Sequence, residues 1–444
     1  MRPSDGAVIV NLPIASRTFP RVLSFKSFQF HLSNIRSIRY LFGAVGMVRF
    51  VHLVVGFFKR FQWFGWNLWA AFCILMFYRI PLRHFGPGLS VYLDAADKYW
   101  NERQIYELVT IDHYQYWPIS LVPLRPLLGL DPVVSAGVLT LLSALVLSWA
   151  SIALMRALSP PEQYKDAVPL AGVLLMINIS AAWFNFKYVQ AQIIMTAGMM
   201  LACAAMIRGH RHWASFWLFI SAVVKPLSLV MILLYIALQR RMRIGLIMAV
   251  VLSLALPFAF VDASYLAGQY ETWIKKLWLL STARPVDWEA QADFASMLDS
   301  LHIQLPPLVA LAIRLAAALG TLALAWRVTK VEGSKTTALA IALLSACYIA
   351  LFGPRNEYLS FLVLTPFLTG LALLLITRRM EDIRGWLLIA VVLIIGTHWS
   401  EEFDRVVKPA LVCAVYGWMI WLTLKSGRWR ELIEGDGALR GAAS

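Results

Sequence analysis

The residues able to do chemistry lie in a few short stretches of a very apolar chain. "GPGLSVYLDAADKYWNERQIYE", Gly86 to Glu107, places Asp94, Asp97, Glu102 and Glu107 among Tyr92, Tyr99 and Tyr106. A carboxylate so placed can take a proton from a hydroxyl as a general base. Lys225 stands in "VVKPLS" and Arg314 seven residues into a later apolar run. Cations inside a membrane are expensive and mark function by default. For Lys225 a phosphate is a natural partner, and snorkelling or pairing with a loop carboxylate is the alternative. Arg314 suits a phosphate or a loop acid equally. "FGPRNEYLS" packs Arg355, Asn356 and Glu357 into one tight turn, where an arginine and a carboxylate pair structurally as readily as they act separately. "WFNFKYVQAQ" holds Asn185, Lys187, Gln190 and Gln192, whose amides suit sugar hydroxyls and equally suit an aromatic belt. His398 in "THWSEEFDR" ends another apolar run and reads first as structural.

Other chemistry finds no support. There is no P-loop, no GxGxxG between strand and helix, no HExxH and no GxSxG elbow. No cofactor is implied. No acid cluster has convincing metal-ligand spacing, although a divalent metal is not excluded on spacing alone.

These residues need elements to hold them. Of 444 residues, 60% are hydrophobic and 15% charged, and the mean hydropathy is +0.67. That composition belongs to a multi-span membrane protein. Apolar runs of about 20 residues match a hydrocarbon core of about 30 Å, and without barrel alternation they must be helices. Runs near 64–80, 132–156, 167–184, 188–207, 213–224, 226–239, 244–262, 307–326, 336–352, 357–377, 384–398 and 409–424 predict an all-α polytopic membrane helical bundle of 11–12 segments. Cys73, Cys203, Cys347 and Cys413 all sit in apolar runs and read as small buried hydrophobes.

Charge orients the bundle. Basic clusters at Arg208/Arg211, Arg240/Arg241/Arg243, Arg327/Lys330/Lys335, Arg378/Arg379/Arg384 and Lys425/Arg428/Arg430 all fall on one side, with the N-terminus. Lysine and arginine favour the cytoplasmic side. The expectation is an inner (plasma) membrane protein with a cytoplasmic N-terminus and a site facing the periplasm or exterior. The net charge of +15 is spread over loops, which argues against a nucleic-acid partner. Residues 1–63 read as a basic, amphipathic N-terminal segment with membrane-surface character from Phe19 to Phe61, and Met47 offers a second possible start. Residues 64–424 form the transmembrane domain, with outer loops near 81–131 and 262–306, and 425–444 a cytoplasmic tail.

One segment is too short for its charges. Two basic clusters flank 213–239, yet two full crossings need about 40 residues. The reading is a re-entrant-like helical hairpin with "VVKPLS" at its turn, broken where Pro226 lacks a backbone donor.

Together these stretches resemble the bacterial polyprenyl-phosphate-mannose-dependent mannosyltransferases of glycosyltransferase family 87, integral membrane enzymes of the GT-C fold. Tyr92, Ala95, Ala96 and Tyr106 match the spacing of that family's opening loop. "YQYWPISLVPLRPLLGL" is similar to its Tyr-x-Pro run, "YVQAQ" to its Gly-Gln-x-Asn turn with Gln190 and Gln192 at the Gln and Asn, and "VVKPLSLVMILLYIALQRRMR" to its Lys-Pro hairpin. The likeness spans about 64–380. It implies transfer of a sugar, mannose by the family's pattern, from a polyprenyl-phosphate donor to a lipid or glycan acceptor among membrane lipids. It implies donor and acceptor contacts at Tyr92, Gln190, Gln192 and Lys225; Arg314, Arg355 and Glu357 join these candidate binding residues by their own chemistry.

The departure falls on the family's catalytic acid, four residues before the first Tyr. That position here is Gly88. Asp94 is the preferred catalytic base in its place; the other readings are that another acid such as Glu357 is the base, or that the chain is a catalytically inactive GT-C-like scaffold. A lipid or sugar transporter is the other class, and it predicts matched broken helices in two halves.

Overall fold

The computed structural model describes residues 63–79, 87–107, 114–160, 162, 164–282, 291–353, 356–425 and 427–434. In chain order the helices are α1 Phe64–Arg79, α2 Pro87–Trp100, α3 Pro132–Leu158, α4 Ala167–Ile177, α5 Ile179–Lys187, α6 Gln192–Ile207, α7 Arg211–Val224, α8 Leu229–Leu238, α9 Arg240–Ala255, α10 Ala263–Thr282, α11 Phe294–Ser300, α12 Pro307–Val331, α13 Ser334–Phe352, α14 Thr365–Arg378, α15 Ile383–Gly396, α16 Glu401–Leu424 and α17 Arg428–Glu434. Short 3-10 turns at Pro118–Leu127, Pro226–Ser228, Leu256–Ala259 and Tyr358–Val363 join them. Among the described residues the only β pairing is an isolated bridge between Gln291 and Glu357. The bundle is therefore all-α and polytopic, as the composition requires. The surface segment Phe19–Phe61, the alternative start at Met47 and Arg355 lie outside the described residues.

Every predicted apolar run contains a helix, but the lengths differ. Pro132–Leu158, Arg240–Ala259, Pro307–Val331, Ser334–Phe352 and Glu401–Leu424 are long and apolar enough to cross a membrane, and α4 with α5 makes a sixth if their 63° bend is one broken span. That bend falls at Asn178, whose amide donates to the Leu174 carbonyl and to Thr369 Oγ1. Helices α6, α14 and α15 are shorter. The buried centre is α13, almost every side chain of which is enclosed from Thr336 to Leu351. By contrast α3 and α12 turn Val138, Leu141, Leu145, Leu308, Leu315 and Leu319 outward, as a lipid-facing surface should. Glycine allows the closest approach. A Cβ at Gly65 would lie 2.4 Å from the Gly172 backbone, so α1 and α4 touch main chain to main chain.

The Lys-Pro segment breaks as its sequence predicts. Lys225 is extended (φ −152°, ψ 122°) between α7 and the Pro226 turn. Trp117 Nε1 donates to the Ala222 carbonyl near the end of α7, and the Tyr99 hydroxyl to the Pro257 carbonyl just after α9. Both helices thus end on the same loop layer, and α8 between them must run back. With 14 and 10 residues, α7 and α8 rise only about 21 and 15 Å.

That loop layer has its own apolar centre of Tyr92, Ala95, Ala96, Tyr99, Ile105, Tyr106, Tyr114, Leu121 and Leu266. The small pair Ala95–Ala96 lets α2 pack closely. Helix α10 is stitched across it: Gln269 Oε1 accepts from Ile105 N at 3.0 Å, Trp273 Nε1 donates to the Gln115 carbonyl at 2.9 Å, and the Tyr265 hydroxyl to the Arg103 carbonyl at 2.7 Å. At the chain's other extreme, the segment read as a tail contains α17, which buries Trp429, Leu432 and Ile433. Trp429 Nε1 donates to Thr423 Oγ1.

Candidate functional site

The loop layer holds a tight group around the turn after α5. The Tyr92 hydroxyl donates to Gln190 Oε1 at 3.4 Å. The ring of Tyr92 stacks on Tyr116 with centroids 5.7 Å apart. Lys225 Nζ lies 5.3 Å from the Tyr116 centroid, near enough for cation–π attraction. So three stretches far apart in sequence, α2, the 188–192 turn and the α7–α8 break, meet at one aromatic wall. Burial raises the Tyr92, Tyr106 and Tyr114 phenols well above their ordinary range, so they remain neutral donors. Lys225 is half-buried and has no ion-pair partner among the described residues.

Gly88 belongs to the same group. A Cβ there would fall 2.5 Å from the Tyr188 carbonyl oxygen and 2.9 Å from Gln190 Nε2. The position that would carry the family's acid is filled by the turn beside it, and no side chain fits without moving backbone. Val189 in that turn has a positive φ of 51°, uncommon for a β-branched residue.

From this turn a polar line continues into the second half of the chain. Gln190 N donates to the Asn185 carbonyl at 2.8 Å. Asn185 Nδ2 donates to the Leu359 carbonyl at 3.1 Å. Two residues before Leu359 stands Glu357, half-buried and fixed by its bridge to Gln291. Asn356, fully buried, accepts from Ala292 N at its carbonyl and donates its amide to the Ile349 carbonyl. Gln192 is also buried, and neither amide atom has a hydrogen-bond partner among the described residues. An unpaired buried amide is costly.

Arg314 meets a loop acid. Its Nη2 is 3.5 Å from Asp293 Oδ2. Asp293 caps α11 by accepting from Ser296 N. Burial pushes the Asp293 carboxyl up, against the lowering effects of the Ser296 amide and Arg314. The sequence signal for Asp293 is its place directly before the apolar start of α11 at Phe294, an N-cap position. Tyr116 had no signal beyond its place in an aromatic run.

The acids of the opening stretch are engaged elsewhere. Asp94 is more than half exposed and pairs with Lys98 at 2.9 Å, and that carboxylate holds the Lys98 ammonium above its usual range. Two residues beyond Tyr92, it stands about 160° round the helix from it. Asp97 binds Arg103 and Asn101. Glu102 accepts from Asp262 N at 2.9 Å, tying the two long loops together. Glu107 lies 3.6 Å from Lys98. Lys187 sits over Phe184 and Tyr188. His398 Nδ1 meets Asp404 Oδ2, which also receives Lys408 Nζ at 3.1 Å.

Residues 114–354, more than half of the chain, match the model of glycosyltransferase family 87. The chain belongs to that family. It is a membrane glycosyltransferase and needs a sugar donor and an acceptor. The match takes in Tyr116, Gln190, Lys225, Asp293 and Arg314 and begins after α2, so Gly88, Tyr92 and Asp94 lie outside it. No curated protein matches the chain.

Proposed function

We propose that this family 87 protein moves a sugar, mannose by the resemblance of its loops, from a polyprenyl-phosphate donor to a lipid or glycan acceptor at the outer face of the cell membrane, on a GT-C scaffold. The observation that carries the proposal is Lys225: a half-buried ammonium at a broken hairpin, set over Tyr116 and lacking a carboxylate within the described residues. The donor phosphate is the anion it awaits. As the bond from the sugar's anomeric carbon to the phosphate oxygen breaks, charge builds on that oxygen, and a fixed cation stabilises it. The Gln190 and Gln192 amides, with the Tyr92 phenol, then meet sugar hydroxyls. Arg314 is already matched by Asp293, so it enters as a support for the second loop.

The base must take the acceptor's proton as its oxygen attacks. Asp94 and Glu357 are the two acids in view. Asp94 faces away from Tyr92 and is held by Lys98, whereas Glu357 is joined to the Gln190 turn through Asn185 and Leu359. We therefore assign the base to Glu357. The test is transfer of radiolabelled polyprenyl-phosphate mannose by the protein in liposomes with a lipid acceptor extract. Glu357→Gln should lower the rate by roughly 100- to 10,000-fold, with Asp94→Asn near wild type. The reverse result moves the base to Asp94. No transfer by the wild type with any polyprenyl-phosphate sugar makes the chain the inactive scaffold that Gly88 suggests.

A further inference from the structure

A second polar site lies at the far ends of α3, α6 and α7, away from the aromatic wall. There Arg156, Tyr164, Lys165, Arg208 and His210 line an open cleft of about 490 Å³. Each comes from a helix end. Arg156 is in the last turn of α3, Tyr164 and Lys165 are in the connection to α4, and Arg208 and His210 flank the turn between α6 and α7. That turn is tight because Gly209 takes φ +79° in open space. The 16 residues of α6 separate this cleft from Gln190 by about 24 Å.

We propose that this cleft binds the phosphate-bearing headgroup of an anionic membrane phospholipid. Three cations converge there, and none of them has an ion pair among the described residues, although Glu162 and Asp166 stand in the same connection. The cleft also adjoins a lipid-facing surface. Trp149 is 51% exposed and lies two turns before Arg156 on the same face of α3. Trp213 at 59% and Phe216 at 44% continue the exposed aromatic surface on α7. Trp149 packs edge-on to Trp217 with centroids 4.9 Å apart, which joins the two helices into one surface. Exposed tryptophans sit at headgroup depth, and basic pockets between membrane helices hold anionic headgroups. A free phosphate would need the cations alone; the flanking aromatics point to a ligand with acyl chains. The site is independent of the sugar-transfer reading, since it shares no residue with it.

The test uses the full chain in neutral detergent and measures its unfolding temperature with phosphatidylglycerol, phosphatidylcholine or inorganic phosphate. Phosphatidylglycerol should raise it saturably, and phosphatidylcholine should not. The triple variant Arg156→Gln, Lys165→Gln, Arg208→Gln should need about 100-fold more phosphatidylglycerol, and Arg208→Gln alone about fivefold more. The single variant decides the matter should the triple one fail to fold. An equal response to phosphatidylcholine, an equal response to inorganic phosphate, or unaltered binding by the variants would each overturn the proposal. A cluster that serves only to orient the chain in the membrane predicts that last result.

Discussion

Lys225 and Lys408 each bring an ammonium to an aromatic ring, yet their surroundings are opposite. Lys408 lies 5.7 Å from the Phe361 centroid, is 1% exposed, and has Asp404 at 3.1 Å. Lys225 lies 5.3 Å from the Tyr116 centroid, is half-buried, and has no carboxylate in ion-pair range among the described residues. Arg314, with Asp293 built in beside it, belongs with Lys408. A cation folded together with its own anion holds elements in place. Here it joins α16 to His398 and to the turn at Phe361. A cation folded without one is left able to take an anion, the role proposed for Lys225. The lesson is that a buried or half-buried charge is read by its partner.

Four substitutions can break this contrast. Lys408→Met should have the largest effect, about 3 kcal/mol of lost stability, because it strips the buried Asp404 of its lysine and leaves only His398 and the Trp399 amide beside it. Thermal unfolding in detergent measures it, and adding Asp404→Leu should recover most of the loss. A silent Lys408→Met would remove the structural half of the comparison. Lys225→Met should change stability by less than about 1 kcal/mol but weaken donor binding by about 10- to 100-fold, the worth of a charge-assisted bond. Unchanged affinity for a polyprenyl-phosphate sugar would remove Lys225 from the site. Gly88→Asp should destabilise by about 1–3 kcal/mol through overpacking against the Tyr188 carbonyl, with no gain in transfer. A faster enzyme would show that the turn yields and that the acid can be restored. Asp94→Asn should be the smallest, within about 0.5 kcal/mol, since an exposed i,i+4 pair contributes little.

Several features were legible along the chain. Pro226 after Lys225 marks a helix break because proline has no N–H to donate, and the break is where the sequence puts it. Tyr92, Ala95, Ala96 and Tyr106 were singled out by spacing, and all four are buried in the loop layer. The pairings were less legible. Asp404 and Lys408 are four residues apart, a spacing that permits a pair on any helix, but nothing in the string says that this face of α16 is turned inward. Arg314 had two equal partners on paper, and Asp293 lies 21 residues away across a loop. The four acids from Asp94 to Glu107 looked equivalent, yet one faces solvent, one holds Arg103, one binds the second loop and one shares Lys98.

The division has a physical cause. In hydrocarbon every backbone donor and acceptor must be met within its own segment, so run length, proline and charge alone determined the helices, the hairpin break and the membrane class. Rotation of each helix about its axis, and hence which side chains face one another, follows from packing between segments that are distant in sequence, and an evenly apolar run carries no mark of it. The tertiary structure therefore decided that Gly88 is sealed by the Tyr188–Gln190 turn, that Arg314 is matched by Asp293, and that Lys225 meets Tyr116 with no ion-paired acid among the described residues.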